Sequence, residues 1–171
     1  MSPPPPFSLE RSVTHRLHTI HKLTDRITQQ AYLAATGLPL GEGRCLAAVA
    51  SFGPFSVNDL AGWANLNKGQ ASRAAQTLVD QGLVSKTTSD TDSRGVVLTL
   101  TPRGERVWEK LRAAIAQRNE EIVACLDDAQ RRQLDSLLER LVAHARQAAC
   151  STPHTAPTAA STPKKARPRR T

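Results

Sequence analysis

The stretch "NLNKGQASRAAQTLVDQGLVSK", residues 65–86, constrains the fold of this chain more tightly than any other. Asn67 is a side chain that satisfies free amide groups at a helix start, and it predicts a helix over Lys68–Gln81. Ala71, Ala75, Leu78 and Val79 fall at helical spacing and mark an inward face made mostly of small residues. Lys68, Gln70, Ser72, Arg73 and Gln76 lie largely on the remaining face. Gly82 suits the left-handed position just past a helix end. Two runs of β character follow at once, "LVSKTT" and "GVVLTL", joined by the polar "SDTDSR". That pattern predicts a hairpin with a polar tip. Few small folds send a helix with outward donors straight into a hairpin.

The flanking sequence is helical. Val13, Leu17, Ile20, Thr24, Ile27, Ala31 and Ala34 step by threes and fours, drawing one apolar stripe along a long helix from about Leu9 to Ala35. "TGLPLGEG" breaks it, "RCLAAVASF" is a short buried helix, and "GPFS" is expected to be a turn. Ser56 with Asp59 three residues on begins another helix. After the hairpin, Thr101 caps and Pro102 opens a helix running to about Cys125. "LDDAQ" restarts a last helix with a stripe of Leu134, Leu137, Leu138, Leu141, Val142 and Ala145. The expected class is mainly α with a small β-hairpin. The stripes of the end helices are too long for the small middle to cover, so a homodimer in which these helices interlock is expected.

Composition narrows the rest. Aromatic residues are 4% of the 171, so the core must be built from Leu, Val and Ala. The net charge of +8 is uneven: residues 151–171 hold Lys164, Lys165, Arg167, Arg169 and Arg170 and no acid, leaving 18 basic against 15 acidic residues elsewhere. The overall charge alone therefore does not specify a nucleic-acid partner. Three cysteines, Cys45, Cys125 and Cys150, are too few and too scattered for a disulfide framework or a zinc ribbon, and they fit a reducing compartment. "MSPPPPFSLE" is no signal peptide, and no apolar run approaches ~18 residues, so a soluble cytoplasmic protein without membrane contact is expected. No phosphate loop, nucleophile elbow or convincing carboxylate pair is present, so neither an enzyme nor a cofactor is expected.

The segment from Phe55 to Gly104, above all "NKGQASR" and "DSRGVVLTLTPRG", resembles the winged helix-turn-helix of the MarR family of bacterial transcriptional regulators. The order of elements extends the resemblance from about Leu9 to Ala149. It implies a winged-helix domain (9–150), while composition predicts a Pro-rich disordered start (1–8) and a disordered basic tail (151–171). Within the domain, dimerisation helices would occupy about 9–36 and 102–149, and the DNA-binding part about 55–101. The family binds pseudo-palindromic double-stranded DNA as dimers and is often released by a small aromatic acid. It implies a repressor here, responsive to such an acid.

The residues fit that role. A helix entering the major groove needs long donors for base edges and short hydroxyls for phosphates. Gln70, Arg73 and Gln76 suit bases; Lys68 and Ser72 suit mainly phosphate. Arg94 matches the wing arginine that enters the minor groove, where the negative potential attracts it. Asp92 matches the acid that orients that arginine by a charge-assisted bond. A second basic residue common in the family is Ser93 here, which implies a weaker phosphate grip. A solvated amphipathic helix, and an Asp–Arg pair that only closes a turn, are the plainer alternatives. Arg103 could touch backbone or be plain surface, and the basic tail could add nonspecific affinity by counterion release.

An aromatic acid needs a fixed cation, and arginine can hold a carboxylate bidentately. The resemblance places an effector pocket near Arg16 and Arg44, with His15 and His18 available to a ring hydroxyl or nitrogen and Leu17, Ile20, Ala48 or Trp63 as an apolar wall. Structural ion pairs are the competing role for both arginines. The chain also resembles family members that repress nicotinate degradation and sense a hydroxypyridine carboxylate. His15, His18 and His21 fan over about 120° of the helix, so they are not a ready metal site. Two further alternatives are a winged-helix protein-interaction module without specific DNA binding and a thiol redox-sensing regulator. Against the second, Cys45 lies in an apolar segment where a thiol is inert.

Overall fold

The computed structural model describes residues 7–88 and 96–151. The chain through Cys125 forms one compact unit and the segment from Leu126 a second. In the first unit a 3-10 turn, Leu9–Arg11, precedes helix α1, Val13–Thr36. Ser12 separates them, its hydroxyl accepting from the His15 amide, so the single helix expected from Leu9 is interrupted at its first turn. Then follow α2 (Leu40–Phe52), β1 (Phe55–Ser56), α3 (Val57–Trp63), α4 (Lys68–Asp80), β2 (Val84–Thr88), β3 (Val96–Leu100) and α5 (Pro102–Ile122). The second unit carries α6, Asp128–Ser151, opened by a reciprocal cap in which the Gln130 amide donates to Asp127 Oδ1 and the Asp127 amide to Gln130 Oε1.

The three strands form an antiparallel sheet in the order β1-β3-β2. The hairpin register runs from Val84 opposite Leu100 to Thr88 opposite Val96. "GPFS" is more than the expected turn: Phe55 and Ser56 pair with Leu98 and Val97 as a third strand. A two-residue strand carries no alternating pattern, so only the neighbouring backbone defines it. Capping followed expectation. Ser56 accepts from the Asp59 amide, and Thr101 from the Gly104 amide with Pro102 in the first turn.

The core of this unit is aliphatic. Leu46, Leu60, Leu78, Leu98 and Leu111 are fully buried with Cys45, and burying each leucine stabilises the fold by about 1.5–3 kcal/mol. Ala71, Ala74 and Ala75 are also buried, so α4 packs through small side chains and lies close to its neighbours.

Everything that places α4 converges on one corner. Gly82, at φ 66°, ends the helix in a left-handed turn. The Gly82 amide donates to the Val79 carbonyl and the Leu83 amide to the Leu78 carbonyl, the paired closure of a Schellman motif, with Leu78 and Leu83 both buried beneath it. The start of α5 then clamps the same corner. The Thr101 amide donates to the Leu83 carbonyl at 3.1 Å, and the Thr101 hydroxyl to the Gly82 carbonyl at 2.7 Å. Gly104 is required there, because a Cβ would lie 2.0 Å from the Leu83 oxygen.

The end helices carry exposed apolar stripes. Val13, Leu17, Ile20 and Ile27 on α1 are 48–65% exposed, and Leu137, Leu138, Leu141 and Val142 on α6 are 43–52% exposed. No helix among the described residues is long and apolar enough to cross a membrane.

Replacing Gly104 with Ala should push the start of α5 off the Leu83 carbonyl and destabilise the chain by about 1–3 kcal/mol, as overpacking does. Urea unfolding of G104A against wild type checks this, and an unchanged midpoint would mean that the corner relaxes freely.

Candidate nucleic-acid interface

All five side chains expected to face outward from α4, Lys68, Gln70, Ser72, Arg73 and Gln76, are exposed. Their roles are not equal. Asn67 Oδ1 accepts from the Gln70 amide at 2.8 Å, and Gln70 Oε1 accepts from the Asn67 amide at 3.2 Å. This capping box satisfies two orphan donors at once and occupies the Gln70 side-chain oxygen. Gln70 thus helps to build the helix start, and the cap does not use its Nε2 group. Arg73 lies one turn on. Gln76 sits in a chain of polar contacts: its Nε2 donates to Asp80 Oδ1 at 2.7 Å, and its Oε1 accepts from Lys86 Nζ of β2 at 2.6 Å. Sequence reasoning missed Asp80 and Lys86. The Gln76–Asp80 spacing of four is a legible helical signal, whereas the contact with Lys86 depends on how the hairpin folds back.

Asp92, Ser93 and Arg94 of the wing tip lie outside the described residues, as do residues 1–6 and the basic tail from 152. The hairpin strands leading to the tip are described, and a Ser85–Thr99 hydroxyl contact of 2.8 Å ties them across the sheet. Arg103 is exposed on the first turn of α5.

The residues expected at an effector site do not come together. His15, Arg16 and His18 are exposed on the first turns of α1, and the Arg16 side chain donates to the Glu10 carbonyl at 3.2 Å. Arg44 stands apart from them and is paired with Asp25 at 2.5 Å, with His21 3.4 Å from the other carboxylate oxygen. The structural ion pair weighed for Arg44 is therefore present, through an acid nineteen positions away that no local pattern reveals. Arg44 does line a cavity of about 370 Å³ together with Asp25, Leu40, Glu42, Leu66 and Arg73. Its walls are not the expected ones: Ala48 is buried in the core, and Trp63 stacks on Phe52 with ring centroids 4.4 Å apart.

Cys45 is fully buried, and burial, reinforced by the charge of Glu42, pushes its thiol up to about 12. It stays protonated and is not poised to sense oxidants. Cys125 is exposed.

The sequence profile of the MarR family matches residues 36–95, a span that includes α2, α3, α4 and β2. The transcriptional regulator BilQ of Clostridium symbiosum is 28% identical over 86 residues, half of this chain and 60% of its own length. The transcriptional repressor Rv2887 of Mycobacterium tuberculosis is 28% identical over 65% of this chain and 80% of its own. The structure of Rv2887 with salicylic acid superposes at a TM-score of 0.65 and 25% identity, covering 76% of this chain and 96% of that one. The structure of Bordetella bronchiseptica BpsR, whose DNA binding is regulated by 6-hydroxynicotinic acid, superposes at a TM-score of 0.71 with 22% identity, covering 81% and 98%. At that identity the second superposition establishes the fold alone.

A thiol-specific reagent at pH 8 should label Cys125 at once and leave Cys45 unlabelled until the chain is unfolded. Peptide mapping by mass spectrometry reads this directly. Prompt labelling of native Cys45 would contradict its burial.

Proposed function

Because the chain belongs to the MarR family of transcriptional regulators, we propose that it is a homodimeric, sequence-specific DNA-binding repressor released by a small aromatic acid. The observation that carries this is the face of α4. An exposed row of Lys68, Ser72, Arg73 and Gln76 stands on a helix whose opposite face is buried through alanines. Arg73 and Gln76 supply the donors that suit base edges, and Lys68 and Ser72 the ammonium and hydroxyl that fix register on phosphates. Gln70 contributes through its free Nε2. A module that only binds proteins has no use for such a row, which disfavours that alternative.

Dimerisation follows from the exposed stripes of α1 and α6, which a second copy would cover. A two-fold dimer matches a pseudo-palindromic operator when its reading helices stand about one DNA turn apart. Arg94, oriented by Asp92, would add a minor-groove contact from each wing.

For the effector, the cavity at Arg44 is the supported place, since Arg73 of the reading helix shares its wall. An acid's carboxylate would replace Asp25 on the Arg44 guanidinium, and Leu40 and Leu66 would flank the ring. The ligand shifts the equilibrium only by its greater affinity for a dimer whose helices are wrongly spaced. Rv2887, which binds salicylic acid, supports the class of ligand; the hydroxypyridine carboxylates are its finer version. His15, Arg16 and His18 would enter only if the dimer brought them to the same place.

The test is a gel shift on the DNA upstream of the coding sequence against a scrambled fragment of equal length. Preferential binding supports the proposal; equal affinity for both fragments defeats sequence specificity. Arg94→Ala should weaken operator binding by about 1–3 kcal/mol while the dimer stays folded, and operator binding equal to wild type would remove the wing from the interface. Salicylate and 6-hydroxynicotinate should release the operator. Arg44→Gln should abolish that release with DNA affinity kept, and a retained response would move the effector elsewhere.

A further inference from the structure

The geometry points to Lys86 and Asp80 as a pair of positioning residues that fix which way round the Gln76 amide faces, and so which orientation of an A·T pair the reading helix accepts. It rests on the DNA-binding function proposed above.

An amide side chain presents an oxygen acceptor and a nitrogen donor of nearly equal shape, and a half-turn about its last bond exchanges them. Free glutamine therefore offers either arrangement to a base. In this chain the exchange is blocked from both ends. Lys86 Nζ has protons to give and no lone pair, and it lies 2.6 Å from Gln76 Oε1. Asp80 as a carboxylate only accepts, and it lies 2.7 Å from Gln76 Nε2. Turning the amide over would set an NH2 against an ammonium and a carbonyl against a carboxylate. Both contacts would be lost and replaced by repulsions. The two anchors come from independent elements: Asp80 closes α4, one turn beyond Gln76, and Lys86 lies on β2, beyond the Gly82 corner.

The amide keeps capacity for DNA. Its oxygen has a second lone pair and its nitrogen a second proton, the two groups that adenine N6 and N7 require. With their order set, an adenine on one strand matches both, and an adenine on the opposite strand does not. The wing thus contributes to base selection through its root, at a residue that need not touch a base. Lys86 acts through Gln76 and is a positioning residue.

The experiment selects preferred sites from randomised operators with the full-length chain, then measures affinity for A·T and T·A at each position. In wild type one pair per half-site should discriminate between the two through Gln76. Lys86→Met should cut that discrimination about five-fold, within the range of one bidentate base contact, and leave preferences elsewhere unchanged. Lys86→Arg, which keeps a cationic donor, should restore most of it. In a Gln76→Ala background Lys86→Met should have no further effect on specificity. A thermal melt confirms that the variants remain folded.

A uniform loss of affinity on all sequences, with a shallower salt dependence that persists in Gln76→Ala, would make Lys86 a phosphate contact and overturn the inference. Unchanged discrimination in Lys86→Met would overturn it too. If wild type itself selects no sequence, the proposed function and this inference fall together. If wild type selects and Lys86→Met does not alter the selection, only the inference fails.

Discussion

The backbone at Gly82–Leu83 is the constraint on which this molecule depends. Helix α4 ends there because Gly82 takes a left-handed turn, strand β2 begins there, and the first turn of α5 is bonded to the same two carbonyls. The end of α4, the start of β2 and the start of α5 thus share one hydrogen-bonded corner. The absence of a side chain at Gly104 lets α5 approach closely enough to complete it. The alanine face of α4 serves the same end, since small side chains let the helix sit firmly on the leucine core while its outer row stays free.

Much of this was legible in the sequence because the signals are local. Asn67, Ser56 and Thr101 act as caps at the expected positions, and Gly82 turns as its place after α4 predicts. The stripes on α1 and α6 are apolar and exposed, as their spacing implied. The elements that escaped are those defined by distant partners. Strand β1 exists only because β3 lies beside it. Asp25 meets Arg44, and Lys86 meets Gln76, only after the chain has folded. The close approach at Gly104 likewise has no signature in the local pattern.

The candidate site divides in the same way. Outward residues on α4 follow from helical periodicity alone, and Lys68, Gln70, Ser72, Arg73 and Gln76 are exposed as expected. What each side chain does there depends on neighbours. Gln70 is committed to the helix start, Gln76 to a cross-element chain of contacts, and Arg73 borders a cavity. The grouping of His15, Arg16, His18 and Arg44 came from the resemblance. His15, Arg16 and His18 lie on the exposed opening turns of α1, whereas Arg44 belongs to α2 and pairs with Asp25 further along α1.

The capping box has a consequence for how a protein of this build can change. Gln70 holds the first turn of α4 with its side-chain amide, so under the proposed function selection for a new operator and selection for a stable helix would act on one residue. Under that function, exchanging Gln70 would alter target preference only at a cost to the cap. Arg73 has no part in the cap. Divergence in operator choice among descendants of this sequence should therefore begin at position 73 and reach position 70 late, accompanied by a compensating change at Asn67.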